Sequence, residues 1–197
     1  MSAADGRGFP PVAPVLRGAQ VVLRPPSDRD AADVRALGRD PEIYRCFGEQ
    51  VDAWRELSPA EAGEFLAALR PSADALPWAI ETTGTFVGTA RLHSLDRQAK
   101  TAAYAVAILS PRLLGRGLGT ETTRLVLDYA FASLGLVSVT ARVLDCNERA
   151  IRCYAKCGLQ IERREPRAVE LDAAWHDDLI MRAHRSPGRP GADASCV

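Results

Sequence analysis

The chain has 197 residues, 47% hydrophobic and 25% charged, the profile of roughly one soluble globular domain and not of a disordered, collagen-like or coiled-coil protein. A chain of this size buries about 70% of its unfolded surface, so its core needs neither disulfide nor metal. Its 25 basic and 25 acidic residues cancel, which leaves no bulk field for nucleic acid or an anionic membrane; with no run of roughly 18 apolar residues and no secretory h-region, the expected location is cytoplasmic.

Residues 1–17 carry Pro10, Pro11 and Pro14 without periodicity and are expected to be a flexible tail, as are residues 185–197. Residues 18–184 are expected to form a single domain. Val21 to Arg24 reads as a short strand stopped by Pro25 and Pro26. Ser27, with Asp30 three positions on, predicts a helix start, and Val34 and Leu37 form the apolar face of that helix. Ser58-Pro59-Ala60-Glu61 is a capping box with proline at N1, opening a helix that carries Phe65, Leu66 and Leu69.

Pro77 to Glu81 and Phe86 to Leu92, joined by Thr82-Thr83-Gly84-Thr85, predict a hairpin. Ser94 to Lys100 reads as a polar loop. Ala102 to Leu109 is almost wholly apolar, as a buried central strand should be, and Ser110-Pro111 ends it. After a glycine-rich turn, a helix is expected from Thr120 to Leu134, with Gly135 as its C-cap. Val137 to Val143 alternates as a strand. Asn147 caps a helix from Glu148 to Cys157 that Gly158 ends. Closing strands are expected at Leu159–Arg164 and Asp177–Arg182. This order gives an α+β, or mixed α/β, fold.

The five cysteines are Cys46, Cys146, Cys153, Cys157 and Cys196. They form no CxxC pair, and no histidine is spaced to complete a zinc site with Cys153 and Cys157, so they read as free thiols and no metal is expected.

The turn Leu114-Gly115-Arg116-Gly117-Leu118-Gly119-Thr120 joins a buried strand to a helix. Glycine permits φ > 0 and close backbone approach, and a helix's first turn presents free N–H groups and partial positive charge. Together they make an anion site, most naturally for phosphate. No G-K-[ST] follows, so this is not a Walker A loop, and the spacing is a poor dinucleotide fingerprint. A plain loop is the alternative.

The segment resembles the acyl-CoA motif of the GNAT superfamily of N-acetyltransferases, [Q/R]-x-x-G-x-[G/A], with Leu114 in the first position. Asn147 to Leu159, NERAIRCYAKCGL, is similar to the family's N-x-x-A-x-x-x-Y-x-K-x-G-[FL]. Val22-Leu23-Arg24-Pro25 resembles the family's opening L-R-P and Asp40-Pro41-Glu42 its D-P-E, and the ending Trp175 to Met181 is similar to the branch that contains ribosomal-protein N-terminal and spermidine acetyltransferases. The resemblance covers about residues 19–183. It implies a GNAT-type fold, a central mostly antiparallel twisted sheet splayed at the acyl-CoA site and flanked by helices. It implies acetyl-CoA as cosubstrate. The backbone of Ile108 and Leu109 would meet the pantetheine arm, and amides of the turn from Leu114 and Gly115 through Arg116, Gly117, Leu118 and Gly119 to Thr120 would hold the pyrophosphate. Asn147 would bond the pantetheine, and Tyr154, as catalytic acid, would protonate the leaving thiolate. A plain helix cap for Asn147 and a core aromatic for Tyr154 are the alternatives.

Relatives often carry glutamate where this chain has Tyr104, and the strand Ala102–Leu109 holds no carboxylate. Glu81, Asp96, Asp145, Asp177 and Asp178 remain as bases. Tyr104, with Trp175, His176, Asp177 and Asp178 of the closing hairpin, forms the expected substrate wall, since acids beside an aromatic suit a cationic amine; a solvated surface hairpin is the alternative. The expected acceptor is a small cationic amine, an aminoglycoside-type antibiotic or a polyamine. The alternatives are a protein N-terminus and, in another class, a non-catalytic acyl-CoA binder. Nucleic-acid and membrane partners are not expected; a homodimer is compatible with the sequence.

Overall fold

Proline cannot donate to a ladder, and Pro25 and Pro26 close β2 (Val22–Arg24) in the computed structural model, which describes residues 8–185. The remaining expected tails, 1–7 and 186–197, lie outside the described residues. Arg24, buried behind the prolines, bonds both Asp30 and Glu81, and the Asp30 carboxylate also accepts the Ser27 N–H at 2.9 Å. That carboxylate anchors the turn into α1 (Ala31–Leu37), whose Val34 is buried. Asp40 caps α2 (Pro41–Arg45), and the Ser58–Glu61 capping box opens α3 (Pro59–Ala68) as expected.

Residues 8–17 correct the expected tail. Phe9 and Ala13 are buried, Phe9 N–H donates to Ala73 at 3.1 Å, and the Trp78 indole donates to the Pro14 carbonyl at 2.8 Å. Leu16–Arg17 forms β1 on β2. The two apolar anchors, Phe9 and Ala13, dock from an irregular segment, without any periodic pattern to announce them.

β3 (Ala75–Thr82) and β4 (Thr85–Asp96) turn through Thr83-Gly84, both at positive φ. β4 runs on to Asp96, so the polar loop before β5 (Thr101–Ile108) is shorter than expected. α4 (Leu118–Ala132), β6 (Ser138–Leu144) and α5 (Glu148–Lys156) follow. The closing strands are longer than their apolar residues indicate: β7 (Gln160–Leu171) and β8 (Ala174–His184) turn at Asp172-Ala173. β7 is mostly exposed, so its pairing leaves no alternating apolar trace.

The eight strands form one sheet in the order β1-β2-β3-β4-β5-β6-β8-β7, antiparallel except for β5–β6. One face packs on α4 through Leu23, Trp78, Ile80, Leu92, Tyr104, Val126, Val139 and Met181. On the other face Ala79 and Phe86 meet Val34, Leu57, Ala62 and Leu66 of the N-terminal helices and the segment between them. Among the described residues no helix is long and apolar enough to cross a membrane.

The parallel β5–β6 ladder runs from Thr101↔Ser138 to Tyr104↔Ala141 and stops. Beyond it β5 stays with β4 to Ile108, and β6 stays with β8 to Leu144. The sheet therefore splays at its centre.

Candidate functional site

A cavity of about 340 Å³ lies in this splay. β5 contributes Val106, Ala107 and Ile108; the glycine turn contributes Leu114, Gly115, Gly117, Leu118, Gly119 and Thr120; α5 contributes Asn147, Ala150, Cys153 and Tyr154. Ile43, Cys46 and Phe47 close the far side. Arg116 is exposed and does not line it.

The turn is built for close approach. Gly115 and Gly117 sit at φ 75° and 89°, and Gly117 is the N-cap of α4. The first intrahelical bond at this end is Glu121 N–H to the Gly117 carbonyl at 3.0 Å. The N–H groups of Leu118, Gly119 and Thr120 thus have no helical acceptor, and the positive helix end faces the cavity. A Cβ on Gly115 would meet nothing within 4 Å, so the glycine answers a backbone conformation and an open approach, not crowding by protein. These donors fit a polyphosphate.

The strand edge differs by one residue from expectation. Leu109 N–H donates to the Val87 carbonyl at 2.9 Å, and Leu109 does not line the cavity. Alternate residues of an antiparallel ladder face opposite edges. With Leu109 committed to β4, Ile108 and Val106 turn their backbone groups into the splay. Ile108 and Val106 line the cavity, and Leu109 does not.

Asn147 lines the cavity while its side-chain oxygen accepts the Ala150 N–H at 3.1 Å, so capping and lining coexist. Tyr154 reaches the cavity from an otherwise buried position, and burial pushes its phenol above the ordinary range, keeping it protonated at neutral pH. Tyr104 is buried behind it, 3.2 Å from the Thr123 hydroxyl, and burial raises its phenol too.

The expected acidic wall is not assembled. Asp177 accepts from Arg164 at 2.8 Å and from the Arg167 N–H, which hold its carboxyl below the ordinary value. Asp178 is buried against Arg142 at 2.9 Å; burial pushes its carboxyl up against the pull of that arginine. Trp175 carries the Arg167 guanidinium 4.5 Å over its ring, and His176 contacts Asp145 at 3.1 Å. None of the four lines either cavity described here. The same is true of Glu81, which bonds Arg24, and of Asp96, which accepts the Ala99 N–H.

A second cavity, about 900 Å³, opens on the sheet face opposite α4 and meets the first at Phe47 and Arg142. Register places Arg91, His93, Ala103, Ala105, Thr140, Arg142, Ile180 and Arg182 on this face. With Arg163 its walls hold four arginines, against Glu162 as the one lining carboxylate. Arg182 bonds Glu162 and Arg163 bonds Glu165. His93 is pushed below its ordinary value by burial and by Arg91.

Sequence reasoning missed Val106, Cys153, Lys156, Arg91 and His93. Cys153 and Lys156 stand on the same helix as Asn147 and Tyr154, and that shared helix is the signal available for them. The Thr120 hydroxyl donates toward the Cys153 sulfur and the Thr123 hydroxyl lies 3.7 Å from it; the neighbouring Cys157 thiol, then these hydroxyls, draw the Cys153 thiol below the ordinary range, while Cys157 moves the opposite way.

Residues 20–160 match the acetyltransferase (GNAT) domain family. The chain is 29% identical over 178 residues to the spermidine N(1)-acetyltransferase of Escherichia coli K12, covering 86% of this chain and 92% of that protein. Mycobacterium smegmatis RimJ, solved in complex with CoA-disulfide, superposes with TM-score 0.72 at 25% identity, over 90% of this chain and 88% of that one. The spermidine N-acetyltransferase of Vibrio cholerae, in complex with CoA and spermine, superposes with TM-score 0.71 at 20% identity, over 85% and 96%, a likeness of fold.

Proposed function

The chain belongs to the GNAT acetyltransferase family and is an acyltransferase, and from that premise we propose that it moves an acetyl group from acetyl-CoA directly to a primary amine entering through the arginine-lined groove. The observation that carries the reading is the splay after Tyr104↔Ala141, which joins a phosphate-fitting glycine turn to a groove on the other face. The acetyltransferase unit is residues 18–184, preceded by a packed segment.

Amides of Gly115 to Thr120 hold the pyrophosphate. Ile108 and Val106 bond the pantetheine arm and the thioester oxygen; a preorganised N–H aimed at the developing negative charge is the largest service a backbone can render here. The amine nitrogen attacks the thioester carbon, the C–S bond breaks, and Tyr154 gives its proton to the departing thiolate. An ordinary ammonium has pKa about 10.4, so its neutral fraction at pH 7 is about 10⁻³, worth roughly 4–5 kcal/mol. His93, held neutral in the groove, takes the ammonium proton, directly or through water.

Two acceptors fit. A small cationic amine, a polyamine or aminoglycoside, is supported by the spermidine acetyltransferase relative. A peptide N-terminus is supported by the groove, whose volume admits several residues and whose Arg91 suits a carboxylate or carbonyl, while Arg142, Arg163 and Arg182 already meet Asp178, Glu165 and Glu162. The geometry favours the peptide.

Thiol release from acetyl-CoA, measured against spermidine, aminoglycosides, free amino acids and peptides with varied N-termini, tests this. Turnover of peptides, strongest with acidic residues after the N-terminal one, is expected. Turnover confined to polyamines or aminoglycosides selects the other acceptor. No turnover with any amine, despite acetyl-CoA binding, makes the chain an acyl-CoA binder.

A further inference from the structure

The turn between β6 and α5 carries Asp145 and Cys146 immediately before Asn147, and β8 brings His176 against it. One carboxylate oxygen, the Cys146 sulfur and one imidazole nitrogen all lie within 4.8 Å of one another. They come from two parts of the chain about 30 residues apart. The main chain fixes their approach, since Asp145 N–H donates to the Asp177 carbonyl at 2.9 Å.

We propose that Asp145, Cys146 and His176 form a binding site for one divalent zinc-class cation. Ligand bonds of about 2.0–2.3 Å around a tetrahedral ion put the donors roughly 3.3–3.7 Å apart, so the observed group closes with a small contraction. His176 Nδ1 is already 3.1 Å from Asp145 Oδ1. A carboxylate, a thiolate and an imidazole make a borderline donor set that selects Zn²⁺ or Co²⁺ over Mg²⁺ or Ca²⁺. Arg164 stands 3.8 Å from the other Asp145 oxygen, but its shorter bond is to Asp177 at 2.8 Å, so Oδ1 stays available. Three protein ligands leave a fourth position for water. Binding replaces the Cys146 thiol proton, which leaves to solvent. The ion would tie β8 to the turn that presents Asn147, and so to the wall of the acyl-CoA cleft.

The test uses the full chain, free of any polyhistidine tag and stripped with chelator. Titration with Co²⁺ should develop a thiolate-to-cobalt charge-transfer band at one ion per chain, and Zn²⁺ should displace it. Cys146→Ser should abolish the band, while Cys153→Ser should keep it. Loss of an outer-shell partner alone weakens metal sites by roughly 10- to 100-fold, so His176→Ala should weaken Zn²⁺ binding by at least about tenfold. Zn²⁺ should also raise Tm of the parent chain and not of Cys146→Ser. The proposal is overturned by an absent band, by a band that survives Cys146→Ser, or by equal Zn²⁺ affinity in parent and His176→Ala.

Discussion

The rings of Tyr104 and Tyr154 meet edge to face, their centroids 6.2 Å apart and their planes at 68°. Tyr104 also reaches the Thr123 hydroxyl, which donates to the Gly119 carbonyl at 2.7 Å. Tyr104 thus braces the cleft from the core, between the Tyr154 phenol and the glycine turn; it also borders the second cavity, but its hydroxyl is engaged with Thr123. Tyr104→Phe keeps the ring and removes one buried hydrogen bond, worth about 0.5–1.5 kcal/mol. It should lower Tm by a few degrees and leave the acceptor KM unchanged. A raised acceptor KM at unaltered Tm would return Tyr104 to the substrate wall.

Tyr154→Phe removes the proton donor and retains the packing against Tyr104. If the hydroxyl acts as the thiolate leaves, kcat should fall by about 10²-fold or more, with acetyl-CoA affinity little changed. Steady-state thiol release together with calorimetric titration separates the two quantities. A kcat that matches the parent chain's at every pH removes Tyr154 from the chemistry.

Gly117→Val places a β-branched residue at φ 89°, where L side chains are strained by about 1–3 kcal/mol. The cap of α4 should shift and its free N–H groups lose their aim. We expect acetyl-CoA to bind at least tenfold more weakly, with far-ultraviolet dichroism retained. Equal affinity by calorimetry would locate the phosphates elsewhere.

His93 sets the expected pH dependence. Burial and Arg91 lower its pKa from the ordinary 6.5, so the ring is neutral at pH 7 and charges only as the pH falls through that lowered value. The neutral ring is the form that accepts a proton. kcat/KM should therefore hold through neutrality and drop only at a pH below that at which an ordinary imidazole charges. His93→Gln should slow turnover and remove that acid limb. An identical pH profile in the variant would show that another group takes the proton.

The parts of the fold that were legible in the sequence are those where a local pattern and a burial pattern coincide. Ser58 and Glu61 cap α3 because the box is complete within four residues. β5 was read from its apolar run, and α5 from Asn147 and Gly158 at its ends. Phe9, Ala13 and β7 were not legible, because an irregular docked segment and an exposed strand show no period. The glycine turn and Tyr154 were legible because they share one contiguous motif each. The acceptor side was not: Arg91, His93, Arg142 and Arg182 come together only through sheet register. Asp177 and Asp178 misled for the same reason, since Arg164 and Arg142, which neutralise them, stand on neighbouring strands or across the hairpin.

Cys153 offers a direct probe of who occupies the cleft. It lines the cavity, and among the cysteines of the described residues its thiol is the one drawn down, to about 6, chiefly by the Cys157 thiol and then by the Thr120 and Thr123 hydroxyls. Cys146 is exposed, but burial of its sulfur and the neighbouring Asp145 raise its thiol. The thiolate is the nucleophile toward iodoacetamide. At pH 7 Cys153 should therefore alkylate faster per accessible sulfur, and its rate should fall as the pH drops through about 6. Saturating acetyl-CoA covers the turn beside it and should slow Cys153 modification by tenfold or more without affecting Cys146, as peptide mass spectrometry would read. Protection of neither cysteine, under conditions where calorimetry shows acetyl-CoA bound, would place the ligand outside the splay between β5 and β6.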